Sequence, residues 1–188
     1  MAERLPPNQR LVTNWPVLQY GSVPKVDLDD WDFRIFGLVE EPQALDWPGI
    51  LALPQVEVQV DIHCVTGWSR FDNVFTGVAV ADLLDRAKPL PEARFALIHA
   101  EQGFTTNLPL ADLLEPHVLL THSHDGRPLA PEHGWPLRLL VPHLYFWKSA
   151  KWVRGIELLP EDRAGFWEDN GYHMRGDPWR EERFRDDW

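Results

Sequence analysis

The chain holds one cysteine, Cys64, at the end of a run in which Val56, Val58, Val60 and Ile62 alternate with polar residues. The change to Thr66-Gly67-Trp68-Ser69 ends that period-2 pattern, as happens where a strand runs out into a loop. A side chain at the exposed end of a strand is held firmly and still faces a cavity. That placement suits a soft thiolate ligand or a nucleophile. Free cysteine is also a common small core residue, and position alone leaves both readings open.

A second stretch carries chemistry of another kind. From His133 to Ile156 there is no Asp or Glu, yet Arg138, Lys148, Lys151 and Arg154 fall inside it. A cationic island in a chain of net charge −11 suits an anion, most simply a phosphate held by Arg, Lys and backbone N–H groups. A solvated basic face, or one paired with the acidic C-terminal segment, would give the same composition. Within it, Ser149 and Ala150 stand between two lysines and let the backbone approach a ligand closely. The rings of Tyr145, Phe146, Trp147 and Trp152 can wall a flat heterocycle.

His117, His122, His124, His133 and His143 lie in one third of the chain, and His122 and His124 share a strand face. Such a pair plus a carboxylate could hold zinc. The His-Glu-x-x-His and paired-cysteine spacings of zinc sites are missing, as are the serine hydrolase elbow and the glycine-rich phosphate loops.

The elements that must position these groups are short. Trp31, Phe33 and Ile35 alternate with charged residues as a half-buried strand, and residues 44–53 read as a short helix or turn. Residues 56–62 lead into Cys64. Val78–Arg86 has helical spacing and ends before Pro89. Strands are expected over 94–100, 104–108, 118–123, 137–141 and 152–159, with a short helix at 110–114 opened by Pro109. Many short strands with few helices indicate an α+β fold. Residues 1–160 are expected to form one domain. Residues 161–188, dense in charge and set with Phe166, Trp167, Tyr172, Trp179, Phe184 and Trp188, are read as a tail laid across its surface.

At 188 residues the chain can bury a sizeable core, and a lone cysteine excludes an internal disulfide. No stretch approaches the ~20 apolar residues of a membrane helix, and the N-terminal residues have no apolar signal region. These features predict a soluble, cytoplasmic protein without membrane insertion. The acidic balance argues against nucleic acid, which wants a basic footprint.

Taken together, the two stretches resemble the sulfite oxidase-like molybdopterin-dependent oxidoreductases, a family that includes the bacterial methionine sulfoxide reductase catalytic subunit. The resemblance rests on Cys64-Val65-Thr66-Gly67-Trp68-Ser69 followed by Phe75-Thr76-Gly77-Val78 and Asp82-Leu83-Leu84. It rests equally on His133-Gly134-Trp135-Pro136-Leu137-Arg138 followed by Lys148-Ser149-Ala150-Lys151-Trp152, and it spans roughly residues 12–160. It implies the sheet-rich catalytic-domain fold, molybdenum and molybdopterin as cofactors, and oxygen-atom transfer to or from a small substrate, possibly a sulfur compound. Cys64 then corresponds to the metal's thiolate ligand. His133, Arg138, Ser149, Ala150 and Lys151 correspond to contacts with the pterin and its phosphate, and Asn14 and Gln19 to N-terminal pterin contacts. His63 and His143 are candidates for meeting the substrate or its proton, and Thr66 or Ser69 for hydrogen-bonding the sulfur. His63 stands where the family often has Arg, which disfavours sulfite itself. A separate electron-transfer protein is the implied partner. The rival expectations are a cofactor-free protein-binding module and a small zinc hydrolase using the His117–His143 group.

Overall fold

Alternation along the chain resolves into two sheets in the computed structural model, which describes residues 4–185. The elements in order are β1 (Arg10–Leu11), β2 (Asp32–Gly37), β3 (Gln43–Asp46), α1 (Trp47–Ala52), β4 (Val56–Cys64), β5 (Trp68–Ala79), α2 (Val80–Ala87), β6 (Phe95–Ala100), β7 (Thr105–Pro109), α3 (Leu110–Leu113), β8 (Leu119–His124), β9 (Arg127–Pro128), β10 (Arg138–Leu140), β11 (Val153–Leu159) and α4 (Phe166–Asp169). The mixed, sheet-rich α+β class expected from the sequence is the one found.

The first sheet is organised on β5. Along one edge it pairs antiparallel with β4. Along the other it meets β1 in parallel at Trp68–Ser69 and β8 antiparallel from Phe75 onward. β8 continues to β10 and to the short β9. The second sheet runs β3-β2-β11-β6-β7, with β11 parallel to β2 and antiparallel to β6.

Strand β5 was not expected. Its period is broken where Asp72 takes a left-handed φ of 55° and where the β4–β5 register shifts between Val60 and Ile62. A bulge of this kind flips the facing of residues beyond it, so the residues after Cys64 read as loop although only three of them form the turn. Of residues 44–53, read as a short helix or turn, Trp47–Ala52 form the helix α1, while residues 44–46 belong instead to the edge strand β3.

Helix α2 presents Val80, Leu83, Leu84 and Ala87 to the main core, and each wholly buried aliphatic side chain contributes roughly 2 kcal/mol. A smaller apolar cluster of Ile62, Cys64, Trp68, Phe75, Leu119, Leu140 and Phe146 lies under the β4–β5 turn. It fixes the cysteine from below.

Of the aromatic residues in the segment after β11, Trp188 lies outside the described residues. The segment enters over β7 at Gly165, where an added Cβ would come within 2.5 Å of the Thr105 carbonyl oxygen. Among the described residues no helix is long and apolar enough to cross a membrane.

Candidate functional site

Cys64 ends β4 and opposes Trp68 across the turn Val65-Thr66-Gly67. Gly67 takes φ +92°, a conformation costly for any residue with a Cβ, and its N–H donates to the Cys64 carbonyl at 2.9 Å. The Gln9 amide, from just before β1, donates to the same carbonyl at 3.1 Å. The sulfur therefore sits on a backbone tied from both sides. Sγ lies 3.2 Å from the Thr66 hydroxyl. Burial pushes the thiol pKa up; contacts with Thr66 and the charges of Arg138 and Arg183 oppose that shift without cancelling it.

The second group gathers around β10. Residues 131–133 form a helical turn closed by Gly134 at φ +113°. A Cβ on Gly134 would meet Arg138 Cβ and Lys151 Cα at 3.2 Å each, so glycine is what lets these chains close in. The Arg138 guanidinium is buried and donates to the His133 carbonyl at 2.8 Å. It lies 4.1 Å from the Phe146 ring centroid and 5.3 Å from that of Trp15. Burial lowers its pKa to about 9, against which the Cys64 sulfur acts as a counter-charge. Its Nε and the Nε2 of His133 are buried without a hydrogen-bond partner among the described residues. Lys151 donates to the carbonyls of Glu132 at 2.6 Å and Leu18 at 2.8 Å. Burial, with the Arg138 charge, brings its pKa down to about 7.

A cavity of about 440 Å³ connects the two groups, touching Cys64, Thr66 and Trp68 as well as His133, Arg138, Ser149, Ala150, Lys151 and Gln19. Ser149 accepts from the Val141 N–H at 2.8 Å, which fixes the loop that carries these residues.

Other expected residues go elsewhere. Asn14 is exposed and does not line the cavity, although its neighbour Trp15 does. His63 points to the opposite face from Cys64, as strand alternation requires. Its Nδ1 lies 2.8 Å from the Ser69 hydroxyl, and burial lowers its pKa to about 4. Ser69 therefore serves His63 and Gln9, and only Thr66 reaches the sulfur. His143 is 3.1 Å from Asp112 Oδ1 and outside the cavity.

The cationic island divides. Lys148 is fully enclosed, 2.7 Å from Glu168, and Arg154 pairs with Asp32 and Glu101. Only Arg138 and Lys151 face the cavity, because carboxylates distant in sequence neutralise the other two. The histidine group does not assemble either: His122 bonds Gln55 while His124 meets Asn73 and Arg70. Among the described residues no three His, Cys, Asp or Glu are placed to hold a metal ion, so the zinc expectation has no ligand set.

Among the cavity-wall residues not singled out as site residues are Trp15, Trp167 and Tyr172, whereas Trp147 was one of the rings expected to wall a flat heterocycle. Tyr172 lines the same cavity as Cys64, and burial, with the Cys64 charge, raises its pKa. Aromatic residues recurring through a strongly charged C-terminal stretch were the available signal.

A family model described as "Oxidoreductase molybdopterin binding domain" matches residues 20–167. The chain is 53% identical over 182 residues to the "Uncharacterized oxidoreductase YuiH" of Bacillus subtilis (strain 168), covering 96% of this chain and 92% of that one. It is 31% identical over 160 residues to the "Putative protein-methionine-sulfoxide reductase subunit YedZ1" of Azospira oryzae, covering 84% of this chain and 60% of the relative. A "Nitrate reductase [NADPH]" of Fusarium oxysporum is 28% identical, and there the chain spans only 20% of the relative's length. Among solved structures, the sulfane dehydrogenase SoxCD of Paracoccus pantotrophus superposes with a TM-score of 0.68 at 21% identity, covering 74% of this chain and 41% of that one. That last likeness is one of fold.

Proposed function

Because the chain belongs to the molybdopterin-binding oxidoreductase domain family, sulfite oxidase-like in type, and is thus an oxidoreductase whose cofactors are molybdenum and molybdopterin, we propose that it transfers an oxygen atom to or from a small substrate with Cys64 as the metal's protein ligand. The observation that carries this reading is the single cavity joining the Cys64 sulfur to Arg138 and Lys151. A soft ligand at one end and two cations at the other match a metal carried by a phosphorylated organic group.

The residues present fit that group. The partnerless Nε of Arg138 and Nε2 of His133 are buried polar atoms of the kind a ligand satisfies, and Gly134 leaves the approach between Arg138 and Lys151 open. When bound, the cofactor supplies the two-electron chemistry of oxygen-atom transfer. In this reading Thr66 orients the sulfur, and a metal at Cys64 overcomes the burial that favours the protonated thiol. Arg138, His133 and Lys151 hold the pterin and phosphate, with Ser149 and Ala150 closing the loop and Gln19 at the rim.

The walls decide what else enters. Trp147, Trp167 and Tyr172 are apolar surface with one hydroxyl, and Arg138 and Lys151 are committed to the cofactor. An uncharged substrate, such as an organic sulfur oxide, suits such a lining better than a free oxyanion. His63 holds the cysteine hairpin through Ser69 and does not touch substrate, and His143 stands apart with Asp112. In this reading residues 1–160 act as the binding domain, and the segment from residue 161, described as far as 185, is a tail packed on it. Electrons pass to or from a separate electron-transfer protein, and a lone free cysteine accords with a cytoplasmic setting.

The test is a Cys64→Ala protein made in a molybdopterin-producing host. It should keep pterin through Arg138 and Lys151, retain molybdenum poorly and lose oxygen transfer. Unchanged molybdenum content and turnover would remove Cys64 from the site. Wild-type protein made in the same host without metal or pterin would instead favour the protein-binding module.

A further inference from the structure

Three wall residues of the cavity, Phe166, Trp167 and Tyr172, come from the segment that follows β11, most of which lies beyond the family match ending at residue 167. Building on the cofactor reading, we infer that residues 161–185 form a wall that closes over the bound cofactor, and that Glu168 is the positioning residue that seats it.

Glu168 Oε1 is the convergence point. It accepts from the Trp147 indole N–H at 2.8 Å and from the Thr106 hydroxyl at 3.0 Å, and it pairs with Lys148 Nζ at 2.7 Å. Lys148 also donates to the Asn107 carbonyl at 2.9 Å, to Asn107 Oδ1 at 2.7 Å and to the Met174 carbonyl at 2.6 Å. One enclosed charge pair thus grips the segment at residues 168 and 174. Between those two points the chain carries Tyr172.

The ring contacts pass this grip to the cavity. Tyr172 stacks on Trp167 with centroids 5.0 Å apart and meets Trp147 edge-on at 5.1 Å. Tyr20, from the N-terminal arm, meets Trp167 edge-on at 6.1 Å. At Gly176, φ is +82° and an added Cβ would come within 2.6 Å of the Trp147 ring, so the segment lies directly on that indole. A buried ion pair contributes less to stability than to choosing one arrangement, and Glu168 is anchored through Oε1 alone, its buried Oε2 having no hydrogen-bond partner among the described residues. Here the arrangement chosen is the one that brings Trp147, Trp167 and Tyr172 together over the cavity. A cofactor can be enclosed by this wall only if the segment lifts to admit it. Arg163 offers a readout of that lifting, being half exposed at the base of the segment.

The experiment compares full-length wild type, Glu168→Gln and the double variant Lys148→Met with Glu168→Leu. Each is purified from hosts with and without molybdopterin synthesis, then digested with trypsin. Loaded wild type should be cut after Arg163 about tenfold more slowly than the cofactor-free protein, because binding removes the locally opened state. Glu168→Gln should lose most of that protection and retain less than about a third of the wild-type pterin. The double variant removes both buried charges, yet it also takes away the partner of the Thr106 hydroxyl and of the Asn107 and Met174 carbonyls, so it should melt somewhat earlier than wild type. It still leaves the Trp147 indole without its acceptor, so its pterin content should fall as well. Wild-type protection and pterin content in the double variant would overturn the assignment, as would a Glu168→Gln protein that only melts earlier. Loaded wild type that is cut as fast as the empty protein would overturn the wall alone, whereas wild type that never carries pterin would overturn the cofactor reading beneath it.

Discussion

The indole of Trp15 lies on the imidazole of His133, with centroids 4.0 Å apart and planes 18° from parallel. An arm residue that precedes the family match thereby fixes the ring whose Nε2 has no partner among the described residues. Stacked aromatic pairs are worth roughly 1 kcal/mol beyond their buried area. Trp15→Ala should weaken pterin retention about fivefold to tenfold while leaving the fold intact, measured as pterin released per chain on denaturation. Phe at the same position should restore most of it.

Arg138 is a buried cation with one protein hydrogen bond and aromatic faces around it. Such a charge is costly to an empty protein. Arg138→Met should therefore leave the cofactor-free protein at least as stable as wild type, by up to about 2 kcal/mol in denaturant titration. The same variant should fail to hold pterin. A protein that lost stability and kept pterin would show Arg138 to be structural.

Lys151 gives a pH signature. Burial and the neighbouring guanidinium lower its pKa to about 7 in the folded protein, while the unfolded chain keeps the ordinary lysine value of roughly 10.4. Between those values the unfolded state binds more protons, so this group makes stability rise with pH across that window. Below about pH 7 both states are protonated and the full cost remains. Melting temperatures of cofactor-free wild type and Lys151→Gln should converge as pH rises from 7 to 10, with the variant more stable at the acid end.

Gly176 and Gly126 separate steric from backbone strain. Both have positive φ, but a Cβ on Gly176 would strike the Trp147 ring, whereas nothing lies within 4 Å of one on Gly126. Gly126→Ala should cost about 1 kcal/mol. Gly176→Ala should cost roughly 2–4 kcal/mol, because overpacking adds to the backbone term. Paired urea titrations measure the difference.

Local spacing was enough to mark where β2, β4, β6, β8 and β11 run, because each keeps an apolar face at period two or a bounded apolar run. It was also enough for α2. β5 was hidden because Asp72 and the Val60–Ile62 bulge break the period. The order of the strands and the parallel pairing of β2 with β11 were not legible, since neither depends on neighbours in sequence.

At the site, the residue types offered two candidates, a thiol at Cys64 that could be a soft ligand and a cationic stretch around Arg138 that could anchor an anion. Of the four cations in the second stretch, sequence could not say which were free. Tertiary structure brought Glu168 to Lys148 and Asp32 to Arg154, leaving Arg138 and Lys151 for the cavity. His63 was expected to meet the substrate although strand alternation turns it away from Cys64, whereas only packing removed His143 and brought Tyr172 into the cavity wall. The sequence by itself determined which functional groups are available, a thiol, a guanidinium and ammonium groups, whose protonation the surroundings then tune. The fold decided which of those groups share one enclosed space, because burial and charge pairing depend on residues that are not sequence neighbours, from Glu168 beside Lys148 to Asp32 beside Arg154, 122 positions away.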